Sequence, residues 1–454
     1  VGEELAVASV AGPPVAEDLT AGPLTRAILR LALPAVGSAL LQLLFLLVDI
    51  FWVGRILGPA ALAAISTAGF AVWMLLALGE MIGVGLTAVA SRRHGEGAHG
   101  LAAVASGTTL GLSIVFGVVV ALLGWALLPI LFAVMHTPPE VTDLGRLWLG
   151  TYLIGTPLVF GFYAVEAAFR AAGDTRTPLA LLGVSVLVTA VMDPVLIRGM
   201  GAFPALGIAG AAVAAVGTRA LGLALGFAVL ARRRLVRLTV WDWRSALTVA
   251  RIGAPTAATG IFFSAVYIGL TRLTTRFGTP ALAALGVGHK LEGLAYQVAV
   301  GFALASAAIV GQNLGAGRVD RARRAGWVTA GYACGIAAVA TVAFLLVPER
   351  LVAVFTRDAD VIRVGASYLR IIAVSEVAMG LELVLEGSLG GAGFTVQPML
   401  WSASLTAARI PLGAWLSGPL RVAGVWWAIS VTSIGRGLAM AALWRAGRWQ
   451  RVRV

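Results

Sequence analysis

Apolar residues run along this chain in stretches too long for buried strands and too continuous for one-sided amphipathic helices. Glycine, proline and arginine punctuate them. A bilayer core about 30 Å thick is crossed by about 20 apolar residues in helical form. The pattern therefore predicts membrane-spanning helices near 28–56, 59–91, 100–134, 141–171, 177–199, 206–231, 248–277, 281–313, 323–348, 360–390, 397–417 and 421–445. The expected fold class is all-α: a polytopic membrane protein with twelve transmembrane helices.

Composition sharpens this. The 454 residues are 59% hydrophobic and 12% charged, against roughly 45–50% and about 25% in soluble domains, which excludes a soluble enzyme. The net charge of +13 would ordinarily suggest nucleic acid. Here every basic residue except Lys290 is an arginine, and most lie in short segments between apolar runs. That distribution reads as topology, and no nucleic-acid partner is expected.

Short cytoplasmic loops collect arginine and lysine. With twelve spans, Arg92–Arg93, Arg170–Arg176, Arg232–Arg234 with Arg237, Arg318–Arg324 and Arg445–Arg453 fall on one side, while the other side carries Arg55, Arg198, Arg276 and Arg421. Both termini are thus expected in the cytoplasm, with the chain multi-pass in the plasma (inner) membrane. Residues 1–25 are mildly acidic, hold two adjacent prolines and lack a basic segment leading into an apolar one. They read as a cytoplasmic tail rather than a signal peptide.

The chain also matches itself. RRHGEG at 92–97 faces QNLGAG at 312–317, and FRAAGDTRTP at 169–178 faces LGGAGFTVQP at 389–398, both 220 residues apart. RILGPAALAA at 55–64 matches RFGTPALAAL at 276–285, and Pro34 faces Pro255. A tandem duplication of two six-span halves follows. An even span number makes the repeat parallel, giving two pseudo-symmetric six-helix lobes. The expected domains are an N-terminal tail to residue 25, a first lobe over 26–231, a cytoplasmic linker over 232–247 with a short interfacial helix around VWDWRSALTVA, a second lobe over 248–446 and a tail over 447–454.

Carboxylates in hydrocarbon are costly and mark function. Asp49 in span one faces Leu270 in the copy, and Asp193 in span five faces Ile410 or its neighbour, so only the first half keeps these acids. Thr189 precedes Asp193 by one helical turn and shares its face. Pro194 is expected to kink span five and free a carbonyl. Pro34, about four turns before Asp49, makes span one a bendable helix carrying a buried acid. A structural role as helix–helix hydrogen-bonding groups is the alternative for both acids. Glu166 has the counterpart Glu386 and could pair with Arg170 at i+4. Glu80 is a further member of the acidic cluster, and Glu292, Glu376 and Glu382 lie in second-half spans. Phe70, Trp73, Met74, Tyr152, Phe160 and Tyr163 could line a cavity for lipophilic cations through cation–π attraction, although packing is the commoner role of such aromatics.

No metal site is expected: Cys334 is the single cysteine, and His94, His99, His136 and His289 show no ligand spacing. The glycine-rich joints at 95–97, 171–174 and 315–317 lack the Lys-Ser/Thr of a phosphate loop. The same poverty of histidine and cysteine argues against a membrane-embedded enzyme.

The first-span LALPAVGSALLQLLFLLVDIFWVGRILG, GLTAVASRRHGEG, AFRAAGDTRTPL, DPVLI and AIVGQNLGAGR together resemble the multidrug and toxic compound extrusion (MATE) family, in the multidrug/oligosaccharidyl-lipid/polysaccharide flippase superfamily, over essentially everything after residue 25. The acids in spans one and five resemble the DinF-like branch. The resemblance implies secondary active export of amphipathic, often cationic drugs or toxins by alternating access, in exchange for protons or sodium, with no other cofactor. It implies coupling carboxylates at Asp49 and Asp193 and a bending proline at Pro34. Relatives often carry Asn where this chain has Thr189 and Glu166, and Thr where it has Ala215. Losing amide oxygens weakens a sodium site and an extra acid suits a proton. Proton coupling is therefore expected, with sodium at Asp49, Asp193 and Glu166 the alternative. Membrane lipids are the expected surroundings and a monomer the expected state. The alternative function is a flippase for a lipid-linked or other lipid substrate, whose headgroup would want central arginines; Arg219, Arg272, Arg409 and Arg436 are scattered over four spans.

Overall fold

The structure, a computed structural model, describes residues 18–135, 138–201 and 203–454, apart from the side chains of Phe70, Val134 and Met135. Of the expected N-terminal tail, residues 1–17 lie outside the described residues, as do His136 and the Phe70 side chain.

The described residues fold into helices joined by short turns. In chain order these are α1 (Leu24–Leu57), α2 (Pro59–Gly95), α3 (His99–Met135), α4 (Pro139–Ile154), α5 (Thr156–Ala171), α6 (Arg176–Arg198), α7 (Ile208–Arg232) and α8 (Trp243–Thr275). There follow α9 (Thr279–Gly315), α10 (Val319–Leu346), the short α11 (Pro348–Ala353), α12 (Ala359–Gly391), α13 (Val396–Leu420), α14 (Val422–Ala446) and a terminal 3₁₀ turn at Arg448–Arg451. Eight of these are long and apolar enough to cross a membrane, and α4 with α5 makes a ninth span bent by 50°. α12, α13 and α14 are also long enough, but polar and charged residues such as Glu376, Glu382, Arg409 and Arg436 dilute their apolar character. Together these make the twelve spans in order.

The fourth span was expected to be continuous and is not. Pro157 has no N–H to give its helix and disfavours helical geometry at the residue before it. Gly155, at the joint, sits so tightly on Val216 that a Cβ there would lie 2.2 Å from its Cγ1. The second copy has Ser375-Glu376-Val377 in the matching place, without proline, and α12 runs through unbroken.

The duplication is visible in the helix ends. α2 and α9, α3 and α10, α4 and α12, and α6 and α13 all begin 220 residues apart. The packing repeats as well: α2–α3, α2–α5, α3–α5, α5–α7 and α6–α7 in the first half recur as α9–α10, α9–α12, α10–α12, α12–α14 and α13–α14. In this register Asp193 faces Gly413 and not Ile410, because α6 and α13 start 220 apart and stay unbroken through their prolines.

By packing, the described chain falls into two compact units: Asp18, Leu19 and Gly37–Ala257 form unit 1, and Thr20–Val36 with Ala258–Val454 form unit 2. Both changes of unit occur inside helices, two residues after Pro34 in α1 and two after Pro255 in α8. Small residues explain the assignment, since they let backbones touch. In unit 1, a Cβ on Gly85 of α2 would lie 2.2 Å from the Val249 carbonyl oxygen of α8, and one on Gly253 would lie 2.0 Å from that of Met81. In unit 2, a Cβ on Gly301 of α9 would lie 2.5 Å from the Val36 backbone.

The segment between α7 and α8 differs from expectation. Most of VWDWRSALTVA is not a separate interfacial helix: Trp243 onward is already α8, capped by Asp242, whose carboxylate accepts from the Arg244 and Ser245 amides at 3.0 and 3.2 Å. Residues 235–242 instead form a strap along α3. The Arg237 amide donates to the Ala103 carbonyl at 2.9 Å and the Asp242 amide to the Thr108 hydroxyl at 3.1 Å. Gly107 makes room for it: a Cβ there would lie 2.0 Å from the Arg237 carbonyl oxygen.

Candidate coupling site

Unit 1 buries both predicted acids. Asp49 on α1 is 4% exposed and Asp193 on α6 is fully buried. Each lies within electrostatic reach of the other. Asp49 Oδ1 and both Asp193 carboxylate oxygens are buried without a hydrogen-bond partner. Bare carboxylates in such a place are costly.

Thr189 is fully buried one turn before Asp193, but its hydroxyl donates to Thr218 of α7 at 3.2 Å, and Thr218 in turn donates to the Ala215 carbonyl. Its role here is to tie α6 to α7. α6 continues without a break through Pro194. α1 likewise continues through Pro34, which belongs to unit 2, apart from Asp49 in unit 1.

A second polar cluster extends through unit 1. Tyr152 on α4, stacked on Trp148 with ring centroids 5.8 Å apart, lies within electrostatic reach of both Asp49 and Arg219. Arg219 on α7 is 8% exposed, sits over the Phe45 and Phe162 rings at 4.7 and 5.3 Å, and donates to Gln42 at 3.4 Å. Glu166 lies 3.9 Å from Arg170 and feels Arg219. Tyr163 lies within reach of Glu80, Glu166 and Arg219, its ring lying over Gly79. Thus Glu80, Glu166, Tyr152 and Tyr163 are brought together around Arg219. Arg219 is the member that the residue pattern alone left among scattered arginines; its signal was an arginine in an apolar run with no acid one turn away.

The aromatic candidates divide. Phe160 is fully buried and stacks on Phe116 at 5.6 Å, so it packs in the core of unit 1. Trp73 and Met74 are exposed on α2, outside the polar cluster just described.

Unit 2 carries its own buried network. Tyr368 donates to Glu292 at 2.8 Å, His289 lies 3.4 Å from Glu292, and Glu376 lies within reach of Glu292. Arg409 donates to Thr432 and Ser433, both at 2.9 Å, and Arg436 pairs with Glu382 at 3.1 Å. Of the four arginines weighed for a lipid headgroup, Arg219 and Arg409 are buried in different units, Arg436 is neutralised and Arg272 is exposed. In unit 2 Arg409 and Arg436 lie within electrostatic reach of one another and of Glu382, which already answers their charge; none of the other three shares unit 1 with Arg219. No group of three or more metal-binding side chains occurs among the described residues.

The MatE family model matches residues 34–195 and again 255–415, one match per repeat. The chain is 31% identical to the probable multidrug resistance protein NorM of Deinococcus radiodurans over 93% of its length and 94% of that protein. It is 26% identical to the probable multidrug resistance protein NorM of Thermotoga maritima, with 93% of each chain covered. The crystal structure of the Vibrio cholerae MATE transporter VcmN in its bent form superposes with a TM-score of 0.84 at 21% identity, covering 93% of this chain and 98% of that one. At that identity the likeness is one of fold.

Proposed function

The chain belongs to the MatE family of membrane transporters, and from that premise we propose that it is a secondary active exporter of amphipathic, often cationic compounds that couples export to proton entry at Asp49 and Asp193. The observation that carries the coupling site is the pair of buried carboxylates with unpartnered oxygens, present in the first repeat and replaced by Leu270 and Gly413 in the second.

Two acids within one another's field cannot both stay charged cheaply in a low-dielectric interior. Uptake of a proton relieves that cost, and its release restores it. The neighbouring Tyr152 and Arg219 connect the pair to Glu166, Tyr163 and Glu80, so its charge state is felt by the groups that would meet a cationic drug. Thr189, a neutral oxygen one turn from Asp193, is committed to Thr218, which favours a proton over sodium. Rearrangement of α1 at Pro34 is the proposed link from proton uptake to alternating access. The working unit is a monomer in the plasma membrane with both termini in the cytoplasm.

Purified protein in liposomes, loaded with ethidium as a lipophilic cation, tests this. An imposed pH gradient is expected to drive dye movement, and a sodium gradient at constant pH is not. Movement under sodium alone would overturn proton coupling, and movement under neither would overturn secondary transport.

A further inference from the structure

The strap between α7 and α8 presents an outward surface that export does not use. Trp241 and Trp243, 44% and 66% exposed, meet edge to face at 5.4 Å, with Leu238 and Leu247 exposed beside them. Exposed Arg232, Arg234 and Arg244 stand before and among these apolar groups along the chain. Both nearby acids are engaged elsewhere: Asp174 holds Arg233 at 2.6 Å, and Asp242 caps α8. No ion pair to Arg232, Arg234 or Arg244 is found among the described residues. The strap itself is held in place by its bonds to Ala103 and Thr108 and by buried Leu235.

Arg234 adds an independent observation. It ends α7 in the left-handed region at φ 55°, with its amide bonded to the Ala231 carbonyl. An L side chain there costs about 1 kcal/mol relative to glycine. The second repeat ends its last helix, α14, with Gly447 at φ 73°. The first repeat thus carries a left-handed L residue two places past its last helix, where the second repeat has its left-handed glycine one place past, and what it gains is a third exposed guanidinium in the same segment as the tryptophans.

Exposed tryptophan and leucine at the end of a span, with arginines in the same segment, are the side chains that settle at a headgroup layer. Guanidinium groups pair with phosphate through two parallel hydrogen bonds. We propose that this strap is a binding surface for anionic phospholipid, with Arg232, Arg234 and Arg244 holding headgroup phosphates and Trp241, Trp243, Leu238 and Leu247 seated at the acyl boundary.

Native mass spectrometry of the detergent-solubilised full chain, titrated with phosphatidylglycerol or phosphatidylcholine, tests it. Wild type is expected to retain phosphatidylglycerol in preference, and each of Arg232→Gln, Arg234→Gln and Arg244→Gln to weaken that retention about five-fold, with phosphatidylcholine unaffected. Arg234→Gly is expected to raise thermal stability while weakening phosphatidylglycerol retention, a combination that a merely structural residue cannot give. The exposed pair Arg323 and Arg324, changed together to glutamine, is the charge control and is expected to leave the preference intact. Unchanged retention in the strap variants overturns the proposal. So does an equal loss per arginine in the control, which would mean diffuse charge attraction only.

Discussion

Asp193 on α6 lies within the field of Asp49 on α1, and three of their four carboxylate oxygens are buried without a hydrogen-bond partner. Neither acid is held by an arginine, unlike Glu382, which pairs with Arg436, or Glu166, which lies beside Arg170. A carboxylate kept for structure alone would be expected to have a guanidinium beside it. On this relationship rests the expectation that Asp49→Asn and Asp193→Asn each abolish pH-gradient-driven dye efflux in proteoliposomes while leaving a folded, membrane-inserted protein. Wild-type transport by either variant would remove that acid from the coupling site.

Asp174, in the turn between α5 and α6, predicts a pH dependence of stability. Burial opposes its ionisation, but the hydroxyl and amide of Thr177 and the Arg233 guanidinium outweigh it, holding the carboxyl below its ordinary 3.8. A group depressed on folding stabilises the protein above its unfolded value, and that contribution disappears as pH falls through the folded value. Asp174→Asn is expected to cost about 1–2 kcal/mol at neutral pH. Melting curves of variant and wild type should then converge as the pH drops below 3.8. A gap that stays constant with pH would sink the assignment.

Gly85 is the point where α2 admits the first part of α8. A Cβ there would fall 2.2 Å from a carbonyl oxygen, which belongs to backbone and cannot swing aside. Gly85→Ala should destabilise the protein by about 1–3 kcal/mol, read as a lower melting temperature in detergent. Gly335, with open space around its Cα, is the control, where alanine should be close to neutral.

Arg409 is 4% exposed and gives two of its hydrogen bonds to Thr432 and Ser433. Thr432→Val keeps the shape and strands part of a buried guanidinium, at a cost of about 1–3 kcal/mol. In a double-mutant cycle, Arg409→Met should make the Thr432→Val change much less costly; full additivity would show that the two side chains are energetically independent.

Legibility differed from residue to residue. The repeat and the two acids could be found in the chain because hydrophobic period, charge scarcity and self-matching are linear properties. Glu80, Glu166, Tyr152, Tyr163 and Arg219 were nameable individually, but that Arg219 joins the others was not, since it comes from α7 and its neighbours from α1, α4 and α5. Phe160 shows the converse: an aromatic in a span reads the same whether it faces a cavity or, as here, the core against Phe116.

The amino-acid sequence by itself determined that this chain crosses a membrane, that it is a doubled six-span unit, and that only its first copy keeps Asp49 and Asp193. Each follows from solvation cost or from residue identity at a fixed offset. The tertiary structure decided where helices change partners and where polar groups end. α1 and α8 each begin in one packing unit and finish in the other because Gly301, Gly85 and Gly253 let backbones meet at those places. The strap lies along α3, not as a helix of its own, because Gly107 leaves room for the Arg237 carbonyl and Ala103 offers an acceptor. Such contacts depend on the shape of two surfaces at once, and that shape exists only when the chain is folded.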